Sequence, residues 1–133
     1  ALSQKPFIDP LDLADQTLIT YPVDRDRLDV FTQFLDPAGV DPAEIRNAEL
    51  TPMMVQLVAS GRGVACLPNW ALTEYLANEL LTAKRLSENG LWGRLYAAVR
   101  REQLEDPFMQ EFLSTAISTC FNHLAGIKRI ERA

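Results

Sequence analysis

Apolar and polar positions along the first half of the chain follow a pattern that repeats. Short β-prone runs are each followed by a stretch in which apolar residues recur every three or four positions. The predicted strands cover 17–21, 44–49 and 63–67. The predicted helices cover 26–35, 51–60 and 70–76. This alternation predicts an α/β fold in which helices flank a parallel or mixed sheet, with the charged 44–49 run near an edge.

Residues with strong local preferences mark the ends of the second helix. Thr51 directly before Pro52 is typical of an N-cap followed by a first-turn proline. Gly61 is typical of a left-handed residue that closes a helix. The buried stripe between them is predicted to contain Met53, Met54, Leu57 and Val58. Asn69 is predicted to cap the third helix in the same way as Thr51.

The second half of the chain gives a different pattern. The run 63–67 is continuously apolar, which favours a strand buried on both faces of a parallel sheet. Further strands are predicted over 80–84 and 91–99, on either side of a turn at 87–90. A long helix is predicted from Pro107 to Gly126. Its wide apolar stripe is either core of the intact fold or a docking face for a partner.

Charge and composition exclude several classes of protein. The 133 residues carry a net charge of −5, and the acidic excess lies in the first 83. Such a chain does not offer the basic surface that binds nucleic acid. No apolar run reaches the ~20 residues that span a membrane. The first residues do not resemble a signal peptide, so a cytoplasmic location is predicted, with no membrane partner.

The residues also give little support for catalysis. Cys66, Cys120 and His123 lie too far apart in sequence to suggest a zinc site, and neither a nucleophile motif nor a phosphate-binding glycine loop is present. Asp24, Asp26 and Asp29 resemble first-turn acids of a helix more than a catalytic carboxylate pair. The chain is therefore predicted not to be an enzyme and to need no metal or cofactor.

Ligand binding has a better candidate location. In parallel sheets, ligands bind beyond the carboxyl ends of the strands, where helices begin. The loops in question cover 21–26, 50–52 and 68–70. Thr51 is the leading candidate, because its hydroxyl and neighbouring N–H groups could hold a carboxylate. The alternative is that Thr51 and Asn69 only cap helices.

Several motifs resemble the effector-binding domain of LysR-type transcriptional regulators. The run Asp12-Leu13-Ala14-Asp15 resembles the segment that leads into a strand of that domain, and residues 57–68 resemble its glycine- and proline-containing signature. The runs 20–30 and 91–100 resemble more specifically the members of the family that regulate methionine biosynthesis and sense homocysteine. Together these motifs cover nearly the whole chain.

The resemblance implies a fold, a division into lobes and a binding site. The fold would be of the type II periplasmic-binding-protein kind, with an effector between two lobes. Residues 1–98 would be the second lobe, and 99–133 the return segment and C-terminal helix of the first lobe. The winged helix-turn-helix, through which alone the protein would contact DNA, and the start of the first lobe would lie outside this chain. The implied effector-binding residues are Tyr21, Pro22, Val23, Arg25, Thr51, Pro52 and Pro68.

The resemblance also implies partners. The effector would be homocysteine or a related amino acid. A homo-oligomer would form through helix 26–35 and strand 44–49, which would contact the first lobe of a neighbour. The alternative function is a solute-binding lobe of a periplasmic-type protein. It is disfavoured because the first residues do not resemble a signal peptide and because the first half of the chain is acidic.

Overall fold

The computed structural model describes residues 1–130, which form two compact units. The larger unit contains residues 1–68 and 72–93, and the smaller one contains residues 69–71 and the chain from Arg94 onward.

A three-stranded parallel sheet organises the larger unit. Its strands are β1 (Thr17–Thr20), β2 (Glu44–Asn47) and β3 (Val64–Ala65), in the order β2-β1-β3. Thr17 pairs with Glu44 on one side of β1, and Leu18 pairs with Val64 on the other side. The α/β fold, the parallel sheet and the edge position of β2 are therefore confirmed.

Three α-helices and several tighter turns accompany the sheet. The α-helices are α1 (Thr51–Ala59), α2 (Thr73–Ala77) and α3 (Pro107–His123). The 3-10 turns are Leu2–Gln4, Pro10–Leu13, Arg25–Arg27, Asp36–Ala38, Asn69–Leu72 and Arg101–Gln103. Val30–Leu35 is a π-helix.

The segment predicted as a helix over 26–35 is thus helical in part, but as a 3-10 turn and a π-helix. Asp36 N–H donates to the carbonyl of Phe31, five residues earlier, which is the π pattern. Pro37 has no N–H with which to continue an α-helical ladder, so the segment passes into a 3-10 turn and ends at Gly39 in the left-handed conformation.

Two hydrophobic clusters cover the two faces of β1. Leu18 packs in one cluster with Phe31 and Leu35, and Ile19 packs in the other with Met54. Successive strand residues point to opposite faces, so Leu18 lies in one cluster and Ile19 in the other, and both side chains are fully buried. This double coverage is typical of a parallel sheet.

The stripe predicted for α1 is partly wrong. Met54 is buried as predicted, but Met53 is 56% exposed, and the second fully buried residue is Val55. Leu57 and Val58 are only half-buried. The helix therefore presents a face rotated by about one residue, because its orientation is set by its contacts with the sheet rather than by its own periodicity.

The two ends of α1 differ in how well they were predicted. At its C-terminus Gly61 has φ +73°, its N–H donates to Val58, and the next N–H, of Arg62, donates to Leu57. This pair of hydrogen bonds is a Schellman cap, which confirms the role of Gly61. At the N-terminus the cap residue is Leu50 and Thr51 is already helical, so the predicted capping role of Thr51 is wrong.

The strands predicted after β2 are less accurate than those predicted for β1 and β2. β3 lies where a strand was predicted, but it spans two half-buried residues at an edge instead of a run buried on both faces. Within the described residues, 80–84 and 91–99 form no strands. The nearest equivalent is one isolated bridge between Ile8 and Leu86. An apolar run becomes a strand only where a neighbouring strand satisfies its backbone groups.

The turn and helices of the second half are closer to expectation. Gly90 N–H donates to Ser87 in the predicted turn. Asn69 begins a 3-10 turn and does not cap α2, whose cap residue is Leu72. α3 begins at Pro107 after Asp106 as predicted, and it ends at His123, ahead of Gly126. No residue of α3 is buried, and none of the described helices is long and apolar enough to cross a membrane.

Candidate functional site

The carboxyl ends of the three strands share one edge of the sheet. Because β1, β2 and β3 are parallel, the segments that follow Thr20, Asn47 and Ala65 all leave from this edge. We call it the carboxyl edge. It carries the loops in which the sequence predicts ligand binding.

Tyr21 and Thr51 meet at the carboxyl edge. The phenol oxygen of Tyr21 lies 2.5 Å from the hydroxyl oxygen of Thr51, within a hydrogen bond in which either group can donate. The ring of Tyr21 packs against the cluster that contains Ile19, Ala48 and Met54. This contact ties the end of β1 to the first residue of α1. It also explains why the Thr51 hydroxyl does not cap its own helix.

The start of α1 is open and has no acidic side chain in its first turn. The helical ladder begins with Met54 N–H donating to Leu50, so the N–H groups of Thr51 and Met53 precede it. Pro52, in the same turn, is exposed and has no N–H to contribute. These N–H groups and the positive end of the helix dipole favour an anion.

Pro22, Val23 and Pro68 lie on the surface. Pro22 is the middle residue of a tight turn in which Val23 N–H donates to Tyr21 at 2.9 Å. This turn keeps the exposed Pro22 and Val23 next to the Tyr21–Thr51 pair. Pro68 is also exposed and follows Leu67, which packs against the same cluster as Tyr21. The structure therefore leaves these three residues accessible from solvent.

Arg25 is engaged elsewhere. Its guanidinium donates to Asp36 and, at 2.7 Å, to Asp41, and it lies 4.3 Å from the centre of the Phe31 ring. The hydrogen bond to Asp36, and then that to Asp41, raise the pKa of Arg25. The side chain joins the 3-10 turn after β1 to the chain before β2, and its charge is neutralised there. Arg25 is thus a predicted site residue whose guanidinium bonds two carboxylates in this structure.

Apolar side chains next to the pair were missed. Leu50 is 66% exposed and Met53 is 56% exposed despite their apolar character, as is Val23, which the sequence did predict for the site. Leu50 lies between Glu49 and Thr51 and belongs to no apolar periodicity. An isolated apolar residue of this kind is the sequence feature that could have identified it as a surface contact group. Together with the Tyr21–Thr51 pair, these residues give the carboxyl edge both polar and apolar contact groups.

A separate cavity of about 590 Å³ lies away from the carboxyl edge. It is lined by Lys5, Asp9, Pro10, Leu11, Asp12, Ala38 and Val40. These residues precede β1 and β2, so the cavity lies toward the amino ends of the strands. Lys5 forms an ion pair of 2.6 Å with Asp12 within it, and this bond, followed by the Asp9 N–H, lowers the pKa of Asp12.

Metal binding has no support among residues 1–130. No group of three or more His, Cys, Asp or Glu side chains there is placed to hold an ion. Both cysteines are unpaired.

Curated relatives of the chain are transcription regulators. It is 42% identical to the HTH-type transcriptional regulator MetR of Escherichia coli strain K12 over 131 residues, which are 98% of this chain and 41% of that protein. It is 38% identical to the regulator of the same name from Haemophilus influenzae over 127 residues, which are 96% and 41% of the two chains. The chain thus spans about two-fifths of the length of these relatives.

A solved structure agrees with these matches. The regulatory domain of MetR, a LysR family regulator from N. meningitidis, superposes with a TM-score of 0.87 at 35% identity, covering 98% of this chain and 60% of that one. The profile of the family described as LysR substrate binding domain matches residues 1–120. The parallel α/β fold, the similarity to LysR-type regulators and this profile lead to one conclusion: the chain belongs to the LysR substrate-binding domain family.

Proposed function

We propose that this chain is the effector-sensing part of a cytoplasmic transcription regulator that controls methionine-biosynthesis genes, with homocysteine or a related amino acid as effector. Relatives named as the regulator MetR support this assignment. The regulator would reach DNA through a winged helix-turn-helix outside this chain. The relatives are regulators rather than enzymes, in keeping with a role in binding.

The Tyr21–Thr51 hydrogen bond carries the proposal. It places two hydroxyl groups beside the open start of α1, where the carboxylate of an amino acid would be stabilised by N–H groups and the helix dipole. The exposed apolar side chains of Val23, Leu50 and Met53 would contact the thiol-bearing side chain of the effector. Pro22, Pro52 and Pro68 would shape the rim.

The effector would act by binding one arrangement of the protein better than another. We assign residues 1–98 to the second lobe and 99–133 to the return segment and a helix of the first lobe. The remaining contacts to the effector would come from the first lobe. Tighter binding to the closed arrangement would shift the population toward it and so alter the geometry of the oligomer on DNA. Helix 26–35 and strand 44–49 are the proposed oligomer surface.

Titration by NMR tests the effector site. Amide spectra of the ¹⁵N-labelled chain are recorded with increasing L-homocysteine under reducing conditions, and with L-methionine and L-homoserine as analogues of the same backbone. We expect shifts at Val23, Thr51 and Met53, largest for homocysteine. Weak binding is measurable in this way, which matters because part of the site would lie outside the chain.

Matched variants test the pair itself. Tyr21→Phe removes the phenol that bonds Thr51, whereas Tyr96→Phe makes the same chemical change at a residue that is 74% exposed. Loss of one hydrogen bond of about 1 kcal/mol should weaken binding roughly fivefold in Tyr21→Phe and leave it unchanged in Tyr96→Phe. Homocysteine shifts confined to other regions, or equal effects of the two variants, would refute the proposed site.

A further inference from the structure

We propose that Asn47 is a further effector-binding residue, whose side-chain N–H groups donate to the carboxylate of the effector, and that Thr20 is the residue that positions it. The inference rests on the proposed function and adds to it a contact at the end of β2. Neither residue belongs to the site predicted from the sequence.

The hydroxyl of Thr20 is fixed on Asn47. Among the described residues, Thr20 is the one polar or charged side chain that is buried, with 6% of its surface exposed. Burying a hydroxyl costs free energy unless it forms a hydrogen bond. The Thr20 hydroxyl donates to the side-chain amide oxygen of Asn47 at 3.1 Å. This buried group therefore holds the Asn47 side chain in one orientation.

That orientation determines which atoms of Asn47 stay available. Because the amide oxygen faces Thr20, the amide nitrogen on the other branch of the side chain points away from it. This nitrogen carries two N–H donors, and within residues 1–130 no group accepts a hydrogen bond from it. Asn47 is exposed, so both donors are accessible to a ligand.

The Thr20–Asn47 pair lies at the carboxyl edge, as the Tyr21–Thr51 pair does. Thr20 and Asn47 are the last residues of β1 and β2 and are partners in the parallel register. Ala48 N–H donates to the carbonyl of Thr20 at 2.9 Å, which keeps the two strand ends together. Tyr21 follows Thr20 directly and packs on the opposite face of the sheet. An effector beyond the strand ends thus has a polar pair on either side.

The donors at this edge suit a carboxylate. The start of α1 supplies N–H groups and the positive end of the helix dipole, and Asn47 adds two more N–H groups. A carboxylate can accept about four hydrogen bonds, so one oxygen can be bound at α1 and the other by Asn47. An ammonium group only donates, and the free branch of Asn47 only donates as well. Asn47 therefore recognises the carboxylate of an amino acid and not its amino group.

An isosteric substitution tests the contact. Asn47→Asp keeps an oxygen that accepts from Thr20 but replaces the N–H donors with a charge that repels a carboxylate. In the NMR titration with L-homocysteine, the side-chain N–H signals of Asn47 should shift in wild type, and Asn47→Asp should bind roughly tenfold more weakly. Asn78→Asp makes the same change at an exposed residue after α2 and should bind like wild type.

Substitutions in β1 test the positioning role. Thr20→Val removes the hydroxyl and keeps the branched shape, so homocysteine should bind about fivefold more weakly and the Asn47 side-chain signals should shift less. Thr20→Ser keeps the hydroxyl and should restore both readouts. Thr17→Val is the matched control, because it removes the hydroxyl that bonds Glu44 at 3.2 Å at the other end of the same two strands. It should change neither readout.

The outcomes separate this contact from the proposed function. Tighter binding by Asn47→Asp would place the amino group at Asn47, and equal binding by Asn47→Asp and Asn78→Asp would exclude the contact. A Thr20→Ser variant that behaves like Thr20→Val would exclude the positioning role. If wild type shows the expected homocysteine shifts and these variants do not differ from it, only the Asn47 contact is removed. A wild-type chain without any homocysteine shift removes both proposals.

Sedimentation velocity of each variant completes the test, because Asn47 lies within the proposed oligomer surface. The variants should sediment like wild type. Weaker binding that occurs only together with a changed oligomeric state would exclude a direct contact between Asn47 and the effector.

Discussion

Gly63 allows β3 to approach β1, and its replacement by alanine is the most direct test of the sheet. A Cβ atom at Gly63 would lie 2.5 Å from the carbonyl oxygen of Thr17 and 3.2 Å from side-chain atoms of Ile19. Real Cβ atoms do not come that close to backbone oxygen, so β3 would have to move. The φ of +153° at this position is also unfavourable for residues with a side chain.

The magnitude follows from these two effects. Forced overpacking costs about 1–3 kcal/mol, and holding alanine at an unfavourable φ adds about 1 kcal/mol. We expect Gly63→Ala to destabilise the sheet by about 3 kcal/mol, which is more than a 100-fold change in the opening equilibrium. Gly61→Ala is the control, because its φ is +73° but no atom lies within 4 Å of the added Cβ. It should cost about 1 kcal/mol.

Hydrogen exchange at the amides of β1 measures the difference in stability between the two glycine variants. Exchange of the Leu18 and Ile19 amides, on the fully buried residues of β1, reports the opening free energy of the larger unit without requiring both units to unfold together. The Gly63→Ala variant should lose more protection at these amides than Gly61→Ala. Equal losses in the two variants would refute the close approach of β3 to β1.

Two further predictions concern ionisable groups. Burial raises the pKa of the Cys66 thiol to about 12, so iodoacetamide at pH 8 should modify it about 1,000-fold more slowly than a thiol with the ordinary pKa; mass spectrometry that shows the ordinary rate would contradict this packing. The Lys5 hydrogen bond lowers the pKa of Asp12 from 3.8, so its stabilisation is present above pH 3.8 and is lost as the pH falls through the lower folded value. In urea unfolding, wild type should have a higher free energy of unfolding than Asp12→Asn at pH 6, and this difference should shrink in acid. A difference that does not change with pH would exclude the ion pair.

Local chemistry explains which predictions succeeded. The left-handed Gly61, the start of α3 at Pro107 and the turn before Gly90 each depend on the conformational preferences of a few consecutive residues. The buried Leu18 and Ile19 of β1 depend on a run of β-prone apolar residues. Such features can be read from the sequence because they involve few long-range contacts.

Long-range contacts explain which predictions failed. Residues 80–84 and 91–99 have apolar, strand-like patterns but receive no partner strand within the described residues. Thr51 has the residue type of a cap, yet its hydroxyl bonds Tyr21, which lies 30 positions earlier. Arg25 stays a predicted site residue, but the partners of its guanidinium, Asp36 and Asp41, lie 11 and 16 positions later. None of these partners can be identified from local sequence.

The sequence by itself determined the α/β class, the parallel sheet, the C-terminal end of α1, the start of α3 and the family resemblance, because periodicity, caps and motifs are properties of neighbouring residues. The tertiary structure decided which hydroxyls meet, which arginine is neutralised, which face of α1 is buried and which strand edge stays open. Those outcomes depend on residues far apart in the chain, whose approach is set by packing of the whole unit.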